Sequence, residues 1–292
     1  MSQVLDELMT LLSPERIEEN LFRCQSQDLG FRALFGGQVL GQALASASRT
    51  VEPDRAPHSL HGYFLRAGDA ALPVVYEVDR VRDGGSFTTR NVKAVQKGQT
   101  IFTAMMSFQL AEPGFEHQEP LMPQVPEPEE LVDEQVLWER HLARIPAKIR
   151  ERLVGEKPIE VRPVVLLDPF DPGTTDPIRR AWIRARGPVP QDPQIHRELL
   201  AYASDYSLLG TSTQPHGVTF ASPSLQMASI DHALWFHGDV RMDDWLLYDM
   251  DSPWAGNARG LCRGRIFSRD GRLIATVAQE GLIRQRPPQP KS

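Results

Sequence analysis

The sequence predicts an α+β fold of two fused copies of one unit, each a central helix wrapped by an antiparallel β-sheet. Three observations carry this. Blocks of sequence recur in the same order at a near-constant spacing. The last block of each copy reads as strand, tight turn, strand. Each copy also holds one stretch whose apolar residues fall at helical spacing.

The chain has 292 residues, enough for one large domain or two of ordinary size. FGGQVLG at 35–41 and SDYSLLG at 204–210 both end in an aliphatic pair and a glycine, 169 residues apart. Gly68-Asp69 and Gly238-Asp239 follow at a spacing of 170, and Tyr76 and Tyr248 at 172. The block RNVKAVQKGQTIFTAMMSFQ (90–109) then matches RGRIFSRDGRLIATVAQEG (263–281). Arg90 and Arg263 each stand eight residues before a glycine, Gly98 or Gly271, and Ile101 and Thr103 match Ile274 and Thr276 at 173. Gln-Lys-Gly and Arg-Asp-Gly supply the two hairpin turns.

Each copy opens on a short strand, expected over 17–25 and 158–167. A helix follows near 35–49 in the first copy and near 192–212 in the second. Three or four antiparallel strands close each copy, and the helix buries its apolar stripe on one face of that sheet. The repeats are therefore expected over 10–112 and 158–284. Between them, 113–157 begins rich in Pro and Glu, as linkers do, and 128–154 reads as a charged amphipathic helix. A flexible Pro-rich tail is expected over 285–292.

Composition removes several classes of function. Apolar residues make up 41% and charged residues 24%, as in ordinary globular proteins. The net charge of −6 argues against nucleic acid or an anionic membrane as partner. No stretch has the length of a membrane span, and the acidic, amphipathic N-terminus lacks the pattern of a signal peptide. The two cysteines, Cys24 and Cys262, form neither a disulfide framework nor a metal-ligand spacing, which suits a reducing compartment.

Laying one copy on the other sets Asp, Ser and Gln in the second against Gly, Ser and Met in the first, so two polar groups appear where the first copy is empty or apolar. Asp205 falls opposite Gly36, Gln279 opposite Met106, and Ser229 opposite Ser59. Asp205 lies in an apolar segment, where an unpaired carboxylate is costly. Gln279 shares a strand face with Ala275 and Val277, so it needs hydrogen-bond partners. A helix-capping Asp, a surface Ser and an edge Gln explain the same residues singly. Asp231-His232 looks like an acid–base pair, yet adjacent strand residues face opposite ways. His58 and His61 line either a cleft or a core. Arg259, Arg263 and Arg265 face either a phosphate or solvent. No G-x-S-x-G elbow, phosphate loop or dinucleotide fingerprint occurs.

Together FGGQVLGQAL, HSLHGYFLRAGD, SDYSLLGTS, ASIDHALWFH and VAQEG resemble the acyl-CoA thioesterase II family, from about residue 10 to 284. The resemblance implies a double hot-dog fold and hydrolysis of acyl-CoA thioesters to fatty acid and CoA. It also implies a catalytic set of Asp, Thr or Ser, and Gln, which falls on Asp205, Ser229 and Gln279. Ser stands at 229 in place of Thr; the hydroxyl is kept. Gly36, Gly37, His58 and Met106 are the expected substrate-binding residues, with Gly36-Gly37 allowing close approach at a helix start. Phe64, Leu65, Met105, Met106 and Trp235 offer an apolar wall for a medium or long acyl chain. No metal, redox cofactor or nucleic acid is expected, nor stable membrane insertion. A cytoplasmic homo-oligomer, dimer or tetramer, is expected, since hot-dog sheet edges tend to be paired. Two alternatives remain. One is a non-catalytic acyl-CoA sensor. The other is a hot-dog enoyl-CoA hydratase or dehydratase, whose Asp, Asn-Pro and His pattern does not follow Asp69.

Overall fold

The computed structural model describes residues 2–30, 33–145 and 147–286, so from 287 onward the expected tail lies outside the described residues. Helix α1 (Gln3–Leu12) buries Leu5, Leu8 and Leu12, one apolar stripe at helical spacing. The first half then runs β1 (Glu15–Glu18), β2 (Leu21–Cys24), α2 (Gly36–Ser48), β3 (Arg55–Phe64), β4 (Val74–Asp83), β5 (Phe87–Gln96) and β6 (Gln99–Leu110). The second half runs β7 (Ile159–Pro163), β8 (Ile178–Ala185), α5 (Pro193–Ala203), β9 (Leu225–Ser229), β10 (Asp231–Phe236), β11 (Leu246–Gly256), β12 (Arg259–Ser268) and β13 (Leu273–Gln285). Two short helices, α3 (Glu134–Arg140) and α4 (Ala147–Val154), lie between the halves.

Among the described residues, thirteen strands join one antiparallel sheet. Its order is β1-β2-β4-β5-β6-β3-β10-β13-β12-β11-β8-β7, with β9 added on β13. The order reads the same from both ends, with β3 and β10 as the central pair, so the two repeats meet strand to strand. Leu60 pairs with Leu234 at that junction. The expected hairpins are present. Lys97 and Gly98 both take positive φ between β5 and β6, which gives a two-residue turn whose twist matches the strands.

The helices depart from expectation in the second half. There α5 stops at Ala203, and a separate 3-10 helix covers Leu209–His216. The break has local causes. Ser207 sits at φ +60°. Ser212 and Thr213 donate their hydroxyls to the carbonyls three residues back, which competes with α-helical bonding. Pro215 lies inside the segment. The 3-10 helix packs on β11, β12 and β13, as α2 packs on β4, β5 and β6. It is therefore the counterpart of α2, in accord with the spacing of 169. Helix α5 instead lies along α2.

The linker also differs from its expected form. The charged helix over 128–154 is broken into a 3-10 turn at Pro128–Glu130, α3, a second turn at Leu142–Arg144, and α4. The Pro-rich part straps the outer face of the second half. Met122, Val125 and Leu131 pack on Trp182, Trp245, Leu247 and Phe267, and Trp182 Nε1 donates to the Pro126 carbonyl at 3.0 Å. No helix among the described residues is long and apolar enough to cross a membrane.

Candidate active site

Asp205 follows the C-cap of α5, where the chain turns toward the 3-10 helix. Asp205 is half-buried, and its carboxylate faces the start of α2. The Gly37 N–H donates to Asp205 Oδ2 at 3.0 Å, and Gln279 Nε2 donates to Asp205 Oδ1 at 2.7 Å. Gln279 reaches it from β13, buried at 1% exposure. Glycine at 36 and 37 is a steric requirement. A Cβ at Gly36 would lie 2.7 Å from Asp205 Oδ2, and one at Gly37 only 2.2 Å from the Tyr202 carbonyl oxygen. The glycine pair thus admits the carboxylate and the α5 backbone.

Burial pushes the Asp205 carboxyl up to about 6, against the pull of its two hydrogen bonds. The group is ionised at neutral pH yet close enough to that pH to take a proton readily. Aromatic rings wall it. Phe64 borders Gly36 and packs on Phe102 with centroids 4.9 Å apart. Phe35 stacks on Tyr206 at 5.2 Å and meets Tyr202 edge-on.

A histidine completes the cluster. Gln279 Nε2 also lies 3.1 Å from His232 Nδ1, and His232 Nε2 lies 2.9 Å from Ser204 Oγ. Ser204 donates to the Ala201 carbonyl at 2.9 Å. Burial drives the His232 pKa down to about 3, so the ring is neutral. The two faces of the strand separate Asp231 from it: Asp231 Oδ1 accepts from the Glu280 backbone N–H at 2.6 Å, while His232 is fully buried.

The other expected residues divide. Ser229, the last residue of β9, pairs with Gly281, two residues beyond Gln279 on β13. Its side chain therefore shares the face of Gln279, one diagonal step away. Among the described residues no hydrogen bond joins it to Asp205 or Gln279. Strand register also puts it at the rung of Pro57, which pairs with Phe108 two residues beyond Met106, rather than at that of Ser59. Met106 is fully buried and pairs with Leu60. His58 packs edge-on against Phe87, six residues along β3 from Phe64, roughly 20 Å away. It does not join the cluster. Of the expected apolar wall, Phe64 and Met106 face inward, while Met105 is 48% and Leu65 49% exposed. Arg259, Arg263 and Arg265 are ion-paired with Glu280, Asp251 and Asp249, as a solvated face would be.

Sequence reasoning missed His232 and Ser204 as members of the cluster. The signal was present at the rung beside Gln279, where the second copy has His232 and the first has Leu60 beside Met106.

Two units fused through β3 and β10 define the double hot-dog class, and among the described residues one carboxylate–amide cluster lies at their junction. The Acyl-CoA thioesterase profile matches residues 149–282, and the profile of the Acyl-CoA thioesterase N-terminal domain matches 26–109. The chain is 43% identical to Acyl-CoA thioesterase 2 of Haemophilus influenzae, over 97% of this chain and 99% of that one. It is 43% identical to Acyl-coenzyme A thioesterase 8 of Homo sapiens, over 95% of this chain and 89% of that one. The crystal structure of acyl-CoA thioesterase II TesB2 from Mycobacterium marinum superposes with a TM-score of 0.78 at 44% identity, covering 97% of this chain and 99% of that one. The chain belongs to the acyl-CoA thioesterase II family.

Proposed function

We propose that the protein hydrolyses acyl-CoA thioesters to fatty acid and CoA with water activated by Asp205. The observation that supports this most is the Asp205 carboxylate itself. It is half-buried, held by Gln279 and the Gly37 N–H, and raised to about 6. A base with a pKa just below the working pH is both ionised and basic enough to remove a proton from attacking water.

The steps follow. Water attacks the thioester carbonyl carbon as Asp205 takes its proton. The tetrahedral intermediate collapses, the C–S bond breaks, and CoA leaves as thiol after receiving that proton. Gln279 orients the carboxylate and the water. Ser229, on the same sheet face, is the third polar group of the set. The acyl chain lies along Phe35, Phe64 and Tyr206, and chains of medium or long length fit such an aromatic wall. The Gly37 N–H is engaged by Asp205, so it positions the base and is not a free oxyanion donor.

Homo-oligomer formation has its support on the outer sheet face. The linker covers that face in the second half, but Tyr63 is 56% and Met105 48% exposed at the centre, beside the His61–Trp235 ring pair. Free, buried Cys24 and Cys262 agree with a reducing, cytoplasmic location.

Release of free thiol from octanoyl-, dodecanoyl- and palmitoyl-CoA, followed with a thiol-reactive dye, tests the reading. Turnover is expected. Tight binding of an acyl-CoA without thiol release would favour the sensor alternative.

A further inference from the structure

The donor count fixes which way round the Gln279 amide lies. An ionised Asp205 only accepts, so the Gln279 atom 2.7 Å from Oδ1 is the NH2 nitrogen. The same nitrogen lies 3.1 Å from His232 Nδ1, which must accept in turn. A neutral ring that accepts at Nδ1 carries its hydrogen on Nε2. That hydrogen meets Ser204 Oγ at 2.9 Å, and the Ser204 hydroxyl hydrogen goes to the Ala201 carbonyl. The chain closes from both ends with every hydrogen assigned. One atom is left over: Gln279 Oε1, buried and without a protein partner.

The two repeats differ at this rung. Met106 faces Leu60 in the first half, an apolar pair with no orientation to hold. Gln279 lies beside His232 in the second. The histidine is thus paired with the amide, not with a charge.

We infer that His232, backed by Ser204, is a positioning residue that holds the Gln279 amide with its NH2 on Asp205 and so keeps the base in place. The inference rests on the reading of Asp205 as base. Without the Nδ1 acceptor, the amide is held less firmly. Its NH2 keeps the bond to Asp205 but loses the second anchor at Nδ1, and the base loses part of its orientation.

Steady-state hydrolysis of dodecanoyl-CoA and thermal melting test this on His232→Leu, His232→Asn, Gln279→Met and the His232→Leu/Gln279→Met double variant. His232→Leu is expected to lower kcat about tenfold to a hundredfold, the scale of a misplaced catalytic group, with KM nearly unchanged. His232→Asn keeps an acceptor near the Nδ1 position and is expected to recover most of that loss. Adding His232→Leu to Gln279→Met, which rebuilds the first repeat's pair, is expected to cost nothing further. A folded His232→Leu enzyme with parental kcat would overturn the inference, as would losses that multiply in the double variant. If His232→Leu fails to fold, Ser204→Ala replaces it, and parental kcat there overturns the inference equally. Asp205→Asn separates the two levels. If it is inactive while His232→Leu is active, only the positioning role falls; if it is active, the hydrolytic reading of Asp205 falls.

Discussion

The backbone N–H of Gly37 donates to Asp205 Oδ2 at 3.0 Å, so the carboxylate of the second repeat is held by the helix start of the first. The aligned residues Gly36 and Asp205 are therefore neighbours in space. Asp205 has no counterpart in a second, remote site. Its aligned partner Gly36 abuts the same carboxylate, and a side chain there would collide with it. The N-terminal end of α2 also places positive dipole potential beside the negative charge. One chain thus has one such cluster among its described residues.

Asp205→Asn is expected to lower kcat about 10²- to 10⁴-fold, the usual range for a lost general base. The fold is expected to survive, because the raised pKa shows that the ionised carboxylate is itself poorly accommodated. The amide does leave one donor facing a donor, at Gly37 or at Gln279. Thiol-release kinetics and thermal melting on the purified variant check both halves of this expectation. Near-parental turnover in a folded variant would remove Asp205 as base.

The pH dependence follows from the same group. Catalysis needs the carboxylate, so kcat/KM is expected to fall on the acid side with an apparent pKa of about 6. His232 adds no limb in this range, since it is neutral down to about pH 3. Stability has the opposite sign. The folded pKa of about 6 lies above the ordinary value of 3.8, so the folded state binds the proton more tightly. The contribution of Asp205 is then fully favourable below the unfolded value and is lost as pH rises toward the folded one. The melting temperature of Asp205→Asn, relative to the parent, is expected to rise between about pH 4 and pH 7. A flat difference would mean that the carboxyl is not raised.

Much of this was legible in the sequence because the repeats share their strand register. The central sheet, both hairpins and helix α2 follow directly from matched spacings. The second helix was not, because helical periodicity continues through Leu208 and Leu209 while Ser207, Ser212, Thr213 and Pro215 impose a tighter path. Asp205 and Gln279 were recoverable as polar residues standing where the other copy is empty or apolar. His232 was hidden by its neighbour Asp231, since the pair suggests an acid–base couple that the strand geometry forbids. Ser229 was aligned two residues off the true rung, because Ser59 offered a matching hydroxyl where register offers Pro57. Matched residues also diverge in use: Arg90 is buried and bonded to Thr50, while Arg263 is 59% exposed beside Asp251.

Gln279 and Ser229 are expected to separate in kinetics. Gln279→Ala removes a bond to the base and leaves His232 Nδ1 unpaired in a buried site. It is expected to cost more than tenfold in kcat, by loss of orientation with the base still present, roughly 10²-fold at most. Ser229→Ala disturbs no hydrogen bond to Asp205 or Gln279 and is expected to cost less than Gln279→Ala. Steady-state kinetics on both variants rank them. A larger loss at Ser229 would place its hydroxyl on the reacting atoms.

The two glycines at the head of α2 are expected to fail in different ways. A Cβ at Gly37 would come within 2.2 Å of the Tyr202 carbonyl oxygen and 2.5 Å of the Phe35 ring. Backbone cannot move aside as a side chain can, so Gly37→Ala forces α2 and α5 apart. Overpacking of this kind costs about 1–3 kcal/mol, and the melting temperature is expected to fall by several degrees together with activity. At Gly36 the nearest atoms are Asp205 Oδ2 at 2.7 Å and Phe64 Cζ at 3.0 Å, both ends of side chains. Gly36→Ala is therefore expected to melt close to the parent. The carboxylate must swing away, however, and a displaced base lowers kcat about tenfold to a hundredfold. Melting and thiol release measured on both variants give the contrast: stability lost at 37, catalysis alone lost at 36. A Gly36→Ala enzyme that keeps parental kcat would show that the position of Asp205 beside α2 does not matter to the chemistry.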